Sequence, residues 1–195
     1  MLRNYMCAIA MLAGLAAGAI AYEMRVSRLN TWELDFSSKP PRSIEVYENG
    51  AMEEYRYILF QVTNNTSQDV DFYPTFQMET EDGKLYTSIP SPDIAKRLRE
   101  RFGRELVDTA AISGIMKPGD TRKGVAVFKG VNGTSDVLTV YVGGLSGDLI
   151  VEKDAEGKLV PLYRTFKLVY TREGDEYDLA IDQVNRKSAE WVWRG

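Results

Sequence analysis

Apolar and polar positions alternate along most of this chain, and that period-two pattern predicts strands. In the run 54–64, Ile58, Phe60 and Val62 fall on one side and Tyr55, Tyr57 and Leu59 on the other. A strand apolar on both sides belongs in the middle of a sheet, covered on each face. In the run 70–81, Val70, Phe72, Phe76 and Met78 oppose Asp71, Thr75, Gln77 and Glu79. Pro74 interrupts it and predicts an edge or a bulge, because proline donates nothing to a ladder. Asp82-Gly83 predicts a two-residue type I′ hairpin turn, returning through 84–87.

The centre of the chain is the wholly apolar run Gly124-Val125-Ala126-Val127-Phe128, a buried strand. The turn Lys117-Pro118-Gly119-Asp120 feeds it, with Pro presetting φ and Gly accepting a positive φ. Leu138, Val140 and Val142 alternate with Val137, Thr139 and Tyr141 until Gly143-Gly144 ends or kinks the strand. Runs at 149–151 and 159–160 flank Asp154-Ala155-Glu156-Gly157 as a small hairpin. Residues 165–171 predict the last long strand, with Phe166, Leu168 and Tyr170 on one face. At the other end, Ile44-Glu45-Val46-Tyr47 predicts a first strand closed by Asn49-Gly50. Before it, Trp32, Leu34 and Phe36 alternate as a short strand or a docked extended segment.

The period changes once. Ser91, Pro92 and Asp93 open a helix by capping, preset φ and favourable charge, and Gly103 can close it. Ile94, Leu98 and Phe102 form one stripe. The expectation is a helix inserted over one end of a sandwich. About seven to nine strands with closely spaced turns give the fold class: an all-β antiparallel sandwich with one inserted short helix, about 91–103.

Composition narrows the chemistry. The chain has 195 residues, enough for one domain with a real core, and is 44% hydrophobic and 27% charged. A net charge of −4 argues against nucleic-acid partners. Histidine is absent, which removes the commonest general base and metal ligand. The single cysteine is Cys7, so thiol catalysis, disulfides and cysteine-based zinc sites are excluded from the folded part.

Residues 1–21 read as an export signal. Arg3 supplies the positive start, 5–21 is uncharged and apolar, and Ala19-Ile20-Ala21 is a small-x-small cleavage pattern. The alternative is an uncleaved inner-membrane anchor over 5–21, giving membrane association through 1–21. The expected organisation is a signal or anchor helix at 1–21, a linker or edge segment at 22–42 and the sandwich at 43–195 with a C-terminal extension. The expected location is periplasmic or secreted, and an exported domain without disulfides suits a bacterial envelope. Asn64, Asn65 and Asn132 match a glycosylation pattern and are read as turn residues first.

Two spans resemble a known family. The first runs through Val62-Thr63-Asn64-Asn65, 76–78 and Glu81-Asp82-Gly83-Lys84-Leu85-Tyr86. The second is Lys117-Pro118-Gly119 followed by 124–128. Together they are similar to a bacterial extracytoplasmic immunoglobulin-like family, telokin-like and of unknown function. The resemblance covers roughly a third of the chain and implies an immunoglobulin-like sandwich of the envelope. It carries no catalytic residues to transfer.

Candidate chemistry is sparse. Lys96, Arg97, Arg99, Arg101 and Arg104 form a basic face suited to phosphate, anionic lipid or an acidic partner, or simply a solvated helix surface. Trp191 and Trp193 are a docking tag or an edge strand folded back on the core. Glu173, Asp175, Glu176 and Asp178 are an oxygen-rich loop without calcium-loop spacing. Ser113 with Lys117, or paired acids, give a remote hydrolase reading with no motif behind it. No cofactor, metal or catalytic residue is assigned. The expectation is a non-catalytic binding or structural module with a protein partner in the envelope, or else a membrane-surface module using 91–104.

Overall fold

The computed structural model describes residues 31–131, 135–172 and 184–195. Thirteen strands and one helix lie among them: β1 Asp35–Ser38, β2 Arg42–Glu48, β3 Ala51–Thr63, β4 Val70–Phe72, β5 Thr75–Thr80, β6 Leu85–Thr87, α1 Pro92–Phe102, β7 Val107–Asp108, β8 Gly114–Met116, β9 Thr121–Lys129, β10 Val137–Gly143, β11 Leu149–Lys153, β12 Leu159–Arg172 and β13 Val184–Arg194.

They form two main sheets packed face to face. In the first, β3 is central: β9 lies on one edge, and β1 and β2 share the other, with the Pro40-Pro41 pair between them. β7 joins β9 in parallel, the one departure from antiparallel pairing among the described strands. The second sheet runs β6, β5, β10, β12, with β11 and β13 also on β12. Tyr163 pairs with Leu149 of β11 and with Arg194 of β13, so those two strands flank opposite edges of β12. A small third sheet pairs β4 with β8.

The core between the sheets is apolar and aromatic. Ile58, Phe60, Val62, Ala126 and Phe128 enter from the first sheet; Phe76, Met78, Leu138, Val140 and Leu168 enter from the second. Phe60 and Phe76 meet across the layers at 4.6 Å between ring centroids. Phe60 also stands opposite Gly124 on β9, and a Cβ at 124 would fall on its ring. The glycine in an otherwise β-branched strand is therefore the space an aromatic needs.

The other apolar side of β3 and β9 is covered by the helix. Tyr55, Tyr57, Val125 and Val127 pack against Ile94, Ala95 and Leu98. This corrects the expected placement: α1 lies on the outer face of the first sheet and not over one end of the sandwich. The strand that is apolar on both sides is central in its sheet, as its pattern implies, because each face meets a different layer.

Three other expectations change. The type I′ turn belongs to Asn49-Gly50, where φ is 51° and 85°. Asp82-Gly83 instead ends a three-residue loop: Gly83 N–H donates to the Thr80 carbonyl at 2.9 Å and Thr80 N–H to the Lys84 carbonyl at 3.0 Å, with only Gly83 at positive φ. The run 70–81 is two strands, because Tyr73-Pro74 moves the chain from the small sheet to the second sheet while Val70, Phe72, Phe76 and Met78 all stay buried. The last long strand is β13 and not 165–171, which is the end of a fourteen-residue β12.

The segment 32–38 ties the layers together. Leu34 N–H donates to the Leu145 carbonyl at 2.9 Å beside the second sheet, and from the next residue on β1 pairs with β3 of the first. Phe36 packs against Phe60 and Phe166, one ring from each sheet.

Gly144 shows how tight the corner after β10 is. Its φ is +79°, and a Cβ would fall on the backbone carbonyl of Tyr73. Gly144→Ala is expected to cost about 2–4 kcal/mol, combining left-handed strain with a backbone clash. Gly157→Ala, at φ +81° with open space around it, is expected to cost only about 1–2 kcal/mol. Urea denaturation of the two variants with an unchanged slope measures the difference; equal losses would remove the clash from the account.

Candidate functional site

The outer face of the second sheet carries an open groove of about 620 Å³. Two of its lining glycines seat neighbouring side chains close against the backbone. Gly143 stands opposite Thr75 in the β5–β10 ladder, and a Cβ there would strike the Thr75 hydroxyl. Gly147 lies against Trp32, whose Nε1 is 2.6 Å from where a Cβ would be. Gly147 N–H donates to the Trp32 carbonyl at 3.0 Å, so the amino-terminal segment forms one wall.

Aromatic rings line the rest. Tyr141 and Tyr163 project from the outer face of β10 and β12, and Tyr73 stands at the corner between β4 and β5. Tyr73 is 63% exposed and Tyr163 56% exposed. Between them lie Thr75, Gln77 and Thr87, side chains that both donate and accept.

Two arginines border the groove, in different electrostatic states. The Arg164 guanidinium is held by Glu33 at 2.7 Å and by Asp148 at 3.2 Å, and stacks 4.4 Å from the Trp191 ring. Arg194 lies 3.5 Å over the ring of Tyr141, and its Nη1 is shielded from solvent with no hydrogen-bond partner among the described residues. Asp71, exposed on the rim, carries the opposite charge. The Tyr141 hydroxyl donates to Glu79 at 2.9 Å. Burial first, then that hydrogen bond and the carboxylate's charge, raise its pKa above the ordinary phenol value, with Arg194 and Lys167 pulling the other way. Tyr141 is thus neutral across the physiological range, with its hydroxyl engaged by Glu79 and one ring face covered by Arg194.

The residues singled out from sequence fall elsewhere or serve the fold. Lys96, Arg97, Arg101 and Arg104 are exposed around α1, but Asp93 and Glu100 are exposed there too. Arg99 donates from Nε to the Leu106 carbonyl at 2.6 Å, holding the loop that leaves the helix. Trp191 packs on Phe166 at 4.9 Å as part of β13, while Trp193 stays 41% exposed opposite Arg164. The Ser113 hydroxyl is engaged by the Thr109 carbonyl at 3.0 Å, and Lys117 is exposed at the turn. Asn64 is fully buried; it bonds the carbonyls of Gln68 and Met116 and accepts from Thr66. The acids at 173–178, Asn132 and the segment 1–21 lie outside the described residues. Among the described residues no group of acidic or cysteine side chains is placed to hold a metal ion, and no helix is long and apolar enough to cross a membrane.

A second cavity, of about 530 Å³, lies by Ile112 and Arg122. Its charges are used internally. Arg122 donates to the carbonyls of Ile112, Gly114 and Ile115, and Lys123 pairs with Glu105 at 2.6 Å.

The groove residues were hard to find from sequence. Tyr141 was visible only as the outward member of an alternating strand, and Arg194 only as the neighbour of Trp193. Trp32 was visible only as the first of the alternating Trp32, Leu34 and Phe36, and Tyr73 and Tyr163 carry no local signal, because separate segments bring them together. Comparison of the chain with protein-family models, with curated proteins and with solved structures finds no match.

Proposed function

We propose that the protein is an exported, non-catalytic binding module of the bacterial envelope, and that the groove on the outer face of the second sheet is its ligand site. One observation carries the reading: exposed tyrosines and dual donor–acceptor side chains line one open concavity, bordered by two arginines. The export pattern at 1–21 supports the location. The Lys117-Pro118-Gly119 turn, in which Asp120 N–H bonds the Lys117 carbonyl at 3.0 Å before β9, supports an immunoglobulin-like variety of sandwich. Binding is favoured over hydrolysis because Asp71 is the only carboxylate side chain among the groove's described lining residues, where paired-carboxylate chemistry needs two, while Glu79, Asp148 and Glu33 nearby are committed to Tyr141 and Arg164.

The three tryptophans make a direct test. In the full 195-residue chain labelled with ¹⁵N, the Trp32 indole reports the groove and Trp193 reports the surface outside it. Bacterial envelope material is divided into glycan, phospholipid-vesicle and solubilised-protein fractions. At least one fraction is expected to shift the Trp32 resonance without changing Trp193 and without releasing a cleavage product. No shift with any fraction, or shifts confined to the amides of α1 with vesicles, overturns the reading in favour of a structural part or of a membrane-surface module.

A further inference from the structure

We infer that the ligand of this groove is a neutral, polyhydroxylated chain, a glycan strand laid across the sheet face; this rests on the binding reading above. The argument is by chemistry. The face of a sheet offers no free backbone groups, since its N–H and C=O groups are spent in the ladders, so side chains alone must recognise what lies on it. The exposed rings are Tyr73 and Tyr163, with Thr75, Gln77 and Thr87 among the lining residues and Tyr141 capped by Arg194. A tyrosine ring offers an apolar face to the C–H side of a sugar and a hydroxyl at its rim. Threonine and glutamine each donate and accept, as the hydroxyls of a sugar do.

Other ligand classes fit less well. A lipid tail would strip water from the Thr75, Gln77 and Thr87 side chains without returning hydrogen bonds. A phosphate or carboxylate polymer needs a surplus of cations. Here Arg164 is already neutralised by Glu33 and Asp148, which leaves Arg194 as the one unbridged cation among the described lining residues, with Asp71 carrying a negative charge on the same rim.

Binding is tested by calorimetry with the full chain against four probes: cellotetraose and chitotetraose as neutral strands, tetragalacturonate as an acidic strand, and an uncharged extended peptide of similar length. At least one neutral strand is expected to bind with a Kd on the order of 10⁻⁵–10⁻³ M, the weak range for a few ring contacts. Tyr163→Ala and Tyr73→Ala are each expected to weaken it about tenfold. Tyr163→Phe should retain most of the affinity, which separates ring contact from folding. Preference for tetragalacturonate that is lost in Arg194→Gln overturns the inference in favour of an anionic ligand. Preference for the peptide overturns it in favour of a protein partner. If all four fail while the vesicle or protein fraction still moves the Trp32 indole, the ligand class is wrong and the binding reading stands. If the glycan fraction moves Trp32 and the acidic strand alone binds, the inference is again overturned.

Discussion

Phe76→Ala is expected to remove about 3–5 kcal/mol of stability, the range for truncating a fully buried aromatic. The ring is wholly inaccessible, and it is where the two sheets meet: Phe60 lies 4.6 Å away and Phe36 6.3 Å away, centroid to centroid. Nothing nearby can collapse into the space, because Phe60 is pinned over Gly124 and Phe36 is fixed by the β1–β3 ladder. For a domain whose total stability is about 5–15 kcal/mol, that loss is a large fraction. It should appear as a lower urea midpoint at constant slope. Phe76→Leu, which keeps most of the volume, is expected to lose about 1–2 kcal/mol. An alanine variant that lost under about 1 kcal/mol would show that the layers do not depend on these rings.

The second large effect is at Arg164. Its guanidinium is the only cation that reaches Asp148 among the described residues. Asp148 is 8% exposed, and its second carboxylate oxygen has no hydrogen-bond partner among the described residues. Arg164→Ala leaves a charge buried without compensation and is expected to cost about 3–5 kcal/mol at neutral pH. The cost belongs to the stranded carboxylate and not to the strength of the pair. Asp148→Asn in the same background is therefore expected to restore most of the loss, short of what the stacking on Trp191 contributes. Glu33→Ala alone should cost under about 1 kcal/mol, since that carboxylate is half exposed. A double variant no more stable than Arg164→Ala would place the effect in packing and not in charge. Thermal and urea unfolding of the four proteins settle the comparison.

Much of the architecture could be read from the chain because burial leaves a period-two trace. β3 and β9 were recognisable as central strands from apolar residues on both sides. What covered the second face was not, since the stripe Ile94, Leu98 and Phe102 says that a helix is buried but not against which surface. β13 was obscured for two reasons. Most of its early positions are polar and exposed, and a register shift where it passes Val169 and Tyr170 interrupts the alternation. The turns show a limit of dipeptide rules. Asp82-Gly83 and Asn49-Gly50 look alike in sequence, and the number of residues left outside the ladder decides the turn type. The groove was less legible still. Its rings come from the outer faces of separate strands and the corners between them, where neither periodicity nor a motif marks them. Gly143-Gly144 was visible only as a kink, and not as the close seat of Thr75 and the Tyr73 carbonyl.

The clip formed by 32–38 also sets the order of events during synthesis. Glu33 meets Arg164 across a separation of 131 residues, and Ser38 meets Tyr170 across 132. No partner for either exists until residues 164 and 170 have been made. Loop closure of that length precedes any reward from the contact, so acquisition of the native state should be slow and late. A nascent chain that cannot lock early stays threadable, which is the condition passage through a membrane channel requires.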